Sequence, residues 1–225
     1  MTIGAVAPEV EGGRFPAKRC LGDQVTVKAE VTVDGHDLLD GVLRYRRTNA
    51  NQWNESPLNK QNAGLDTWTA HFTVDSLGEW EFVVVAWVDR FRTWLAGFGA
   101  KLKAGVDVAV EIEQGALYIE AAAAKAEPSE RGSLVRAAAA LREAVGDAAL
   151  AAAEEPALVA KMRSASDRNE AEGPIRRVLV DPVLARFSAW YEFFPRSTGE
   201  RGEHGTFETS RARLRYAASM GFDVV

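Results

Sequence analysis

The spacing of apolar residues in this chain changes near residue 89, and that change decides which elements each part can form. Up to residue 88, several runs alternate apolar and polar side chains, as in Val25–Val33 and Trp68–Val74. Such alternation is typical of strands with one buried and one solvated face. Short strands separated by turn residues predict an immunoglobulin-like β-sandwich over residues 1–88.

From residue 89 the apolar residues recur at helical spacing instead. Phe91, Trp94 and Phe98 share one face of a helix, for which Asp89 is a suitable N-cap. Alanine is dense in this region, and it favours helices because it loses no side-chain entropy. The predicted helices are 89–102, one beginning after 107, 133–145, and 147–162 with a possible kink at Pro156. Together they predict a small helical bundle over residues 89–170.

The remainder, residues 171–225, changes character again. It begins within a polar stretch, 164–174, that predicts a linker. A strand is predicted at 175–180, followed by a strand at 190–197, a helix at 208–220 and a strand at 222–225. A parallel strand–helix–strand unit does not bury its apolar faces alone. We therefore expect this unit to begin a third domain that continues beyond residue 225, and Ala189–Val225 to pack on the sandwich or on another chain.

Composition narrows the class of protein. The 27 basic and 32 acidic residues give a net charge of −5, without a basic block, which argues against a nucleic-acid partner. No signal peptide opens the chain, and no apolar run approaches the roughly 20 residues that span a bilayer. The single cysteine, Cys20, excludes an internal disulfide and is expected to be a small buried residue. These features predict a cytoplasmic protein without a membrane partner.

Several longer strings carry a more specific signal. They are Pro8–Arg19, Leu43–Arg47, Trp87–Trp94, Phe187–Ser197 and His204–Phe207. In this order they resemble the N-terminal part of the α-1,4-glucan:maltose-1-phosphate maltosyltransferase family, within the α-amylase superfamily. Two alternatives stay open: another glucan enzyme of that superfamily, and a stand-alone carbohydrate-binding or subunit-assembly module.

The resemblance implies a multidomain α+β fold: the sandwich, the bundle, and the first β-α-β unit of an incomplete (β/α)8 barrel. It also implies a retaining enzyme that moves maltosyl units from maltose 1-phosphate to an α-1,4-glucan and releases phosphate. Family members are homodimers, in which sandwich and bundle form much of the contact. Their catalytic carboxylates follow barrel strands four and five, so we expect no catalytic residue within 225 residues and no cofactor. The fragment alone would serve assembly and be inert.

A few residues are candidates for substrate contact or assembly. Arg196 and His204 would lie near the mouth of the barrel, where substrates bind, although a turn-stabilising or exposed histidine is the simpler interpretation of His204. Trp53 is the tryptophan expected to be exposed to a sugar, or else to pack at a strand edge. Trp94 and Phe98 belong either to a dimer interface or to the bundle core. The histidines lack ligands at suitable spacing, so no metal site is expected.

Overall fold

The computed structural model of the chain describes residues 1–61, 66–165 and 168–225. Within these ranges the fold is mixed α+β, with two β-sheets and six α-helices. The strands are β1 (Thr2–Ala7), β2 (Ala17–Cys20), β3 (Gln24–Thr32), β4 (Leu39–Arg47), β5 (Asn54–Pro57), β6 (Asn59–Lys60), β7 (Thr67–Thr73), β8 (Gly78–Val88), β9 (Ala171–Glu172) and β10 (Arg176–Asp181). The helices are α1 (Arg90–Lys103), α2 (Ala109–Lys125), α3 (Pro128–Glu143), α4 (Asp147–Ala153), α5 (Pro156–Ala165) and α6 (Phe207–Ser219).

The strands form two separate sheets. The first has the order β1-β3-β7-β6, and its pairs are antiparallel. The second has the order β2-β10-β8-β4-β5, with β9 added against β8, and its β2–β10 pair is parallel. Because β10 lies between β2 and β8, residues 176–181 pack with the first 88 residues. Their predicted place in the third region, 171–225, is therefore wrong.

The facing sides of the two sheets share one apolar core. Alternate residues of β3, from Val25 to Val31, are at most 1% exposed, as their spacing predicts. Trp68 and Trp80 also lie in this core, in phase with Phe72 and Phe82 of the same strands. Removing these side chains from water is the main favourable contribution to folding of this region. The more specific assignment as an immunoglobulin-like sandwich stays a prediction.

The outer face of the second sheet carries a smaller apolar cluster. Val83, Val85 and Trp87 of β8 are buried there with Val42 of β4. Trp53 packs against this group from the neighbouring loop. Both faces of β8 are therefore buried.

Part of this outer face is covered by the predicted linker, 164–174. Residues 166 and 167 of the linker lie outside the described residues. After them, the guanidinium of Arg168 lies 4.2 Å from the ring centroid of Trp87. The amide of Gly173 then donates a hydrogen bond to the carbonyl of Val84 at 2.8 Å. The end of the linker is thus packed against the second sheet.

Helices α1 to α5 pack around a second apolar core. Asp89 is the N-cap of α1 and accepts a hydrogen bond from the amide of Arg92 at 2.9 Å, as predicted. The single helix expected over 147–162 is wrong, because α4 ends at Ala153 and Pro156 begins α5. Proline lacks an amide hydrogen, so it fits the first turn of a helix better than the interior. Pro128 likewise begins α3 earlier than predicted.

Residues 183–225, here termed the closing segment, contain less strand than the sequence predicts. Only Trp190 and Val224 pair, in a single parallel bridge. The expected strand 190–197 is wrong at its end, since Pro195–Thr198 form a 3-10 turn. The helix is confirmed as α6, and Thr206 caps it in a capping box with Thr209. That this arrangement is the first part of a (β/α)8 barrel stays a prediction.

Candidate functional site

Within the closing segment, residues 189–191 are held to residues 222–224 by hydrogen bonds and a ring contact. The amide of Tyr191 donates to the carbonyl of Val224 at 2.9 Å. The carboxylate of Asp223 accepts a hydrogen bond from the amide of Ala189 at 2.8 Å. The Tyr191 ring packs on that of Phe222, with 5.2 Å between centroids. Asp223 is therefore engaged in holding the backbone.

A tight loop connects the bridge to α6. The amide of Gly205 donates to the carbonyl of Arg196 at 2.8 Å. The hydroxyl of Thr198 donates to the carbonyl of Pro195 and lies 2.8 Å from the Thr209 hydroxyl. A Cβ at Gly205 would lie only 2.4 Å from the Pro195 carbonyl, so this approach requires glycine. Hydrogen bonds within the loop thus close it, and most of its side chains are exposed to solvent.

Beside this loop lies an apolar cavity of about 920 Å³. Its walls include Trp190, Phe193, Phe207 and Leu214. Trp190 is 71% exposed and Phe207 is 86% exposed. The expectation that Ala189–Val225 packs on the sheets is therefore wrong for these side chains, while packing on another chain stays a prediction. Grouped apolar side chains that are this exposed often mark a surface that contacts another part of the chain or a partner.

The structure brings two of the predicted substrate residues together and separates the third. Arg196 and His204 are both exposed on the tight loop, which the Gly205–Arg196 hydrogen bond closes. Trp53 lies elsewhere, half-buried on the outer face of the second sheet, where the Arg46 guanidinium is 4.2 Å from its ring centroid. That contact agrees with the strand-edge alternative, and the substrate roles stay predictions.

Trp94 and Phe98 lie in the bundle core. Their rings stack with 5.4 Å between centroids, and Phe98 has no exposed surface. The Trp94 indole donates a hydrogen bond to the carbonyl of Glu111 at 2.9 Å. The structure therefore favours the core alternative for both, because neither side chain faces outward to a second subunit.

A second cavity, of about 880 Å³, is lined by residues of both sheets and of helix α5. We term it the junction cleft; its walls include His36, Asp40, Lys60, Trp68, Arg92 and Arg163. No local pattern in the sequence indicates this cleft, because its walls come from distant parts of the chain. One available signal was Asp40, a carboxylate placed among apolar residues of a strand.

Two buried carboxylates lie where the helices join the sheets. Asp40 is 4% exposed and accepts a hydrogen bond from Arg163 Nη2 at 2.7 Å. Asp89 is 6% exposed, and its burial raises its pKa above the ordinary value of 3.8 despite the opposing hydrogen bond from the Arg92 amide. Leu38 adds a direct link, since its amide donates to the Thr93 hydroxyl at 2.8 Å. The Arg163–Asp40 bond thus connects α5 to β4, and the Leu38–Thr93 bond connects α1 to the residue before β4.

The described residues offer neither a metal site nor a membrane-spanning helix. Across 1–61, 66–165 and 168–225, no cluster of three or more His, Cys, Asp or Glu side chains is arranged to hold a metal ion. No helix among these residues has both the length and the apolar character needed to cross a bilayer. Cys20 is buried and free, as expected from the sequence.

Comparison with known proteins relates these features to one family. Residues 1–182 match the family described as alpha-1,4-glucan:maltose-1-phosphate maltosyltransferase, domain N/S. The maltosyltransferase of Chlorobaculum tepidum is 40% identical over 228 residues, which cover 100% of this chain and 34% of the relative. That of Myxococcus xanthus is 38% identical over 234 residues, or 99% of this chain and 35% of the relative.

The first maltosyltransferase of Streptomyces coelicolor is 39% identical over 228 residues, which cover 98% of this chain and 33% of the relative. The chain thus spans about a third of the length of these curated relatives. The resemblance carried by the sequence strings is confirmed. The match over residues 1–182 covers more than half of the chain, which accordingly belongs to the α-1,4-glucan:maltose-1-phosphate maltosyltransferase family.

Proposed function

We propose that the chain is the N-terminal part of an enzyme that transfers maltosyl units from maltose 1-phosphate to an α-1,4-glucan and releases phosphate. Family membership and the names of the relatives support this activity. Maltose 1-phosphate and α-glucan would be its substrates, and the cytoplasm its location. The reaction needs no cofactor in this proposal.

The observation that carries the proposal is the exposed apolar face of the closing segment. Trp190 and Val224 form a parallel bridge, and the apolar side chains around it remain open to solvent. Parallel sheets are buried on both faces in folded proteins. We infer that further chain, of the kind that makes up the other two thirds of the relatives, covers this face and completes a barrel around it.

The proposal also places the catalytic acids outside these 225 residues. Retaining transfer uses two carboxyl groups about 5–5.5 Å apart, one as nucleophile and one as acid/base. Glu192 lines the apolar cavity, but Asp223 is already bonded to the Ala189 amide, so these two do not form a free pair. Residues 1–225 alone would therefore bind a carbohydrate or assemble into a dimer without catalysing maltosyl transfer.

For the two-sheet region and the bundle we propose a role in homodimer assembly. With Trp94 and Phe98 buried, the interface needs other side chains. Val110 and Leu117 of α2 are 77% and 53% exposed and lie seven residues apart, on one face of the helix. Exposed apolar side chains at this spacing are suited to pairing with a second helix.

The test is phosphate release from maltose 1-phosphate with glycogen as acceptor. Residues 1–225 alone are expected to release none. A chimera that joins residues 1–225 to the remaining part of the Chlorobaculum tepidum relative is expected to restore release. Phosphate release by residues 1–225 alone would contradict the placement of the carboxylates, and an inactive but folded chimera would contradict the proposed role of the closing segment.

A further inference from the structure

The helical bundle meets the two-sheet region without a shared apolar core. Among the described residues, the core of the bundle has no member in common with the two apolar clusters of the sheets. Packed apolar surface is what usually fixes one domain against another, and small polar interfaces leave domains free to move. Turning the bundle as a whole would therefore expose little apolar surface and cost little hydrophobic free energy.

Both chain connections to the bundle lie at one end of β8. The chain leaves β8 at Val88 and enters α1 through its cap, Asp89. On the return, Ala171 of β9 pairs with Ala86, two residues before Val88. Two neighbouring connections can serve as a pivot, because changes in a few backbone torsions there turn the whole bundle.

Cavities lie side by side along the junction. The junction cleft of about 880 Å³ shares Val33 and Asp37 with a cavity of about 530 Å³, whose wall includes Tyr118 of α2. It shares Ala160 and Arg163 with a cavity of about 270 Å³. Atoms that line a cavity lack van der Waals partners on that side. The junction is therefore loosely packed at several places and has room for the bundle to turn.

Polar contacts cross the junction at a place that we term the neck, formed by Leu38, Asp40, Asp89, Thr93 and Arg163. The carbonyl of Leu38 accepts a hydrogen bond from the Asp89 amide at 2.8 Å, and its amide donates to the Thr93 hydroxyl at 2.8 Å. Both bonds lie at the start of α1, beside the pivot. The Arg163–Asp40 pair instead joins the last helix of the bundle to β4, so it is placed to restrain turning.

The two partners of this pair differ in their access to solvent. The Arg163 side chain is 45% exposed, whereas that of Asp40 is 4% exposed. A carboxylate that is buried without a cation is costly. If Arg163 were lost, turning of the bundle would bring water to Asp40 and relieve that cost. The observed position of the bundle therefore depends on the pair being intact.

We propose that the bundle is a hinged body that turns about the neck, and that the Arg163–Asp40 pair is the latch that holds it in the observed position. Opening separates α5 from β4 and widens the junction cleft. This inference rests on contacts within residues 1–225 and not on the proposed activity. In the proposed homodimer, turning of the bundle would change the angle between the two subunits, and that consequence rests on the proposed function.

The experiment measures the distance between the two bodies by double electron–electron resonance. Spin labels are attached through Lys28→Cys in β3 and Lys103→Cys at the end of α1, both exposed positions, in a chain that also carries Cys20→Ala to prevent labelling there. The labelled chain is diluted in excess unlabelled chain, so that distances between subunits do not contribute. With the latch intact, one narrow distance distribution is expected.

Two variants open the latch. Arg163→Met leaves Asp40 without its cation, and Arg163→Met with Asp40→Asn removes the latch without leaving a buried charge, so it tests the proposal even if the single variant unfolds. The distribution should shift or broaden by about 5 Å, the displacement that a rotation of about 15° gives at the end of an arm of about 20 Å. Circular dichroism would verify folding. A shift in either variant would support the hinge, and an unchanged distribution in every variant that folds would overturn it.

Two controls separate turning of the bundle from changes within it. Arg142→Met also removes an arginine that pairs with carboxylates, those of Glu113 and Glu120, but these lie inside the bundle. It should leave the distance between the two bodies unchanged. A second label pair, Arg136→Cys with Lys103→Cys, lies within the bundle and should give the same distance in the latch variants as in the unchanged chain. A change in that distance would show that the bundle rearranges internally and would also overturn the proposal. Phosphate release from the chimera, which tests the proposed function, does not depend on these results.

Discussion

Arg163 of helix α5 directs its guanidinium onto the buried carboxylate of Asp40 in β4, with Nη2 at 2.7 Å from Oδ1. The two residues are 123 positions apart in the chain. Asp40 also accepts a hydrogen bond from the amide of Gly41 at 2.9 Å. The pair therefore links the bundle to the second sheet and neutralises a carboxylate that is only 4% exposed.

Replacing Arg163 by methionine should lower the free energy of unfolding, because Asp40 would remain buried without its cation. We expect a loss of about 2 kcal/mol, as for other buried charged groups left unpaired. Urea unfolding followed by circular dichroism would measure it. Arg136→Met, at an exposed position of α3, is the control and should change stability little. Equal midpoints for the two variants would show that the pair is not stabilising.

This link could not be derived from the sequence, although much around it could. Asp89 was recognised as a helix cap because its partner, the Arg92 amide, is three residues away. The alternation of β3 was likewise a local pattern. Asp40 has its partner on a distant helix, and neither local spacing nor composition specifies that contact.

In the closing segment, the local sequence pattern predicts more strand than the structure contains. The aromatic residues of 190–194 fit a strand by propensity, but a strand also needs a paired neighbour. Here only Trp190 has a paired neighbour, and Pro195 cannot donate a ladder hydrogen bond.

Among the site candidates, Trp94 and Phe98 have a helical spacing that does not distinguish an outer face from a core. The positions of Arg196 and His204 on one loop depended on the Gly205 backbone contact, which no pattern of residues indicates.

Stability should depend on pH through Asp89. Its pKa is raised by burial, so its folded form holds a proton to higher pH than its unfolded form. The stability due to the protonated carboxyl is fully present below the ordinary pKa of 3.8 and is lost as pH rises through the raised value. The Asp89→Asn variant keeps a side chain that can cap the helix but has no carboxyl group there to titrate. Its stability should therefore not show this loss.

The check is urea unfolding of both proteins at several pH values. The free energy of unfolding of Asp89→Asn, minus that of the unchanged chain, should increase as pH rises above 3.8. Acid-sensitive groups elsewhere, such as Glu113 and Glu120 with their lowered pKa beside Arg142, affect both proteins equally and cancel in the difference. A difference that is constant with pH would contradict the prediction.

Gly115 allows α1 and α2 to approach closely. A Cβ there would lie 2.1 Å from Cζ2 of Trp94, whose indole is fixed by its bond to Glu111. Although alanine favours helices by up to about 1 kcal/mol over glycine, overpacking should reverse the sign and make Gly115→Ala destabilising by about 1–3 kcal/mol. Gly97→Ala, where a Cβ meets nothing within 4 Å, should stabilise instead. Thermal unfolding of both variants would show opposite shifts.

The tight loop of the closing segment should open without unfolding the rest of the chain. Gly205→Ala places a methyl group against the Pro195 carbonyl and should break the hydrogen bond to Arg196. Faster proteolysis and faster hydrogen exchange are expected in residues 195–206, with unchanged protection in β3 and β8. Ser197→Ala, an exposed change in the same loop, is the control. Loss of protection in the two sheets as well would show that the segment is coupled to them.

Dimer formation should depend on the apolar face of α2. The double variant Val110→Lys with Leu117→Lys places charges on two exposed positions of that face and should convert a dimer to a monomer, because a charge buried at an interface without a partner is costly. Light scattering would give the mass of each protein. Ala96→Lys with Ala100→Lys adds the same charge to exposed positions of α1 and should remain dimeric. If the unchanged chain is a monomer at all concentrations, residues 1–225 do not suffice for assembly. If the α2 variant stays dimeric, the interface lies on another surface.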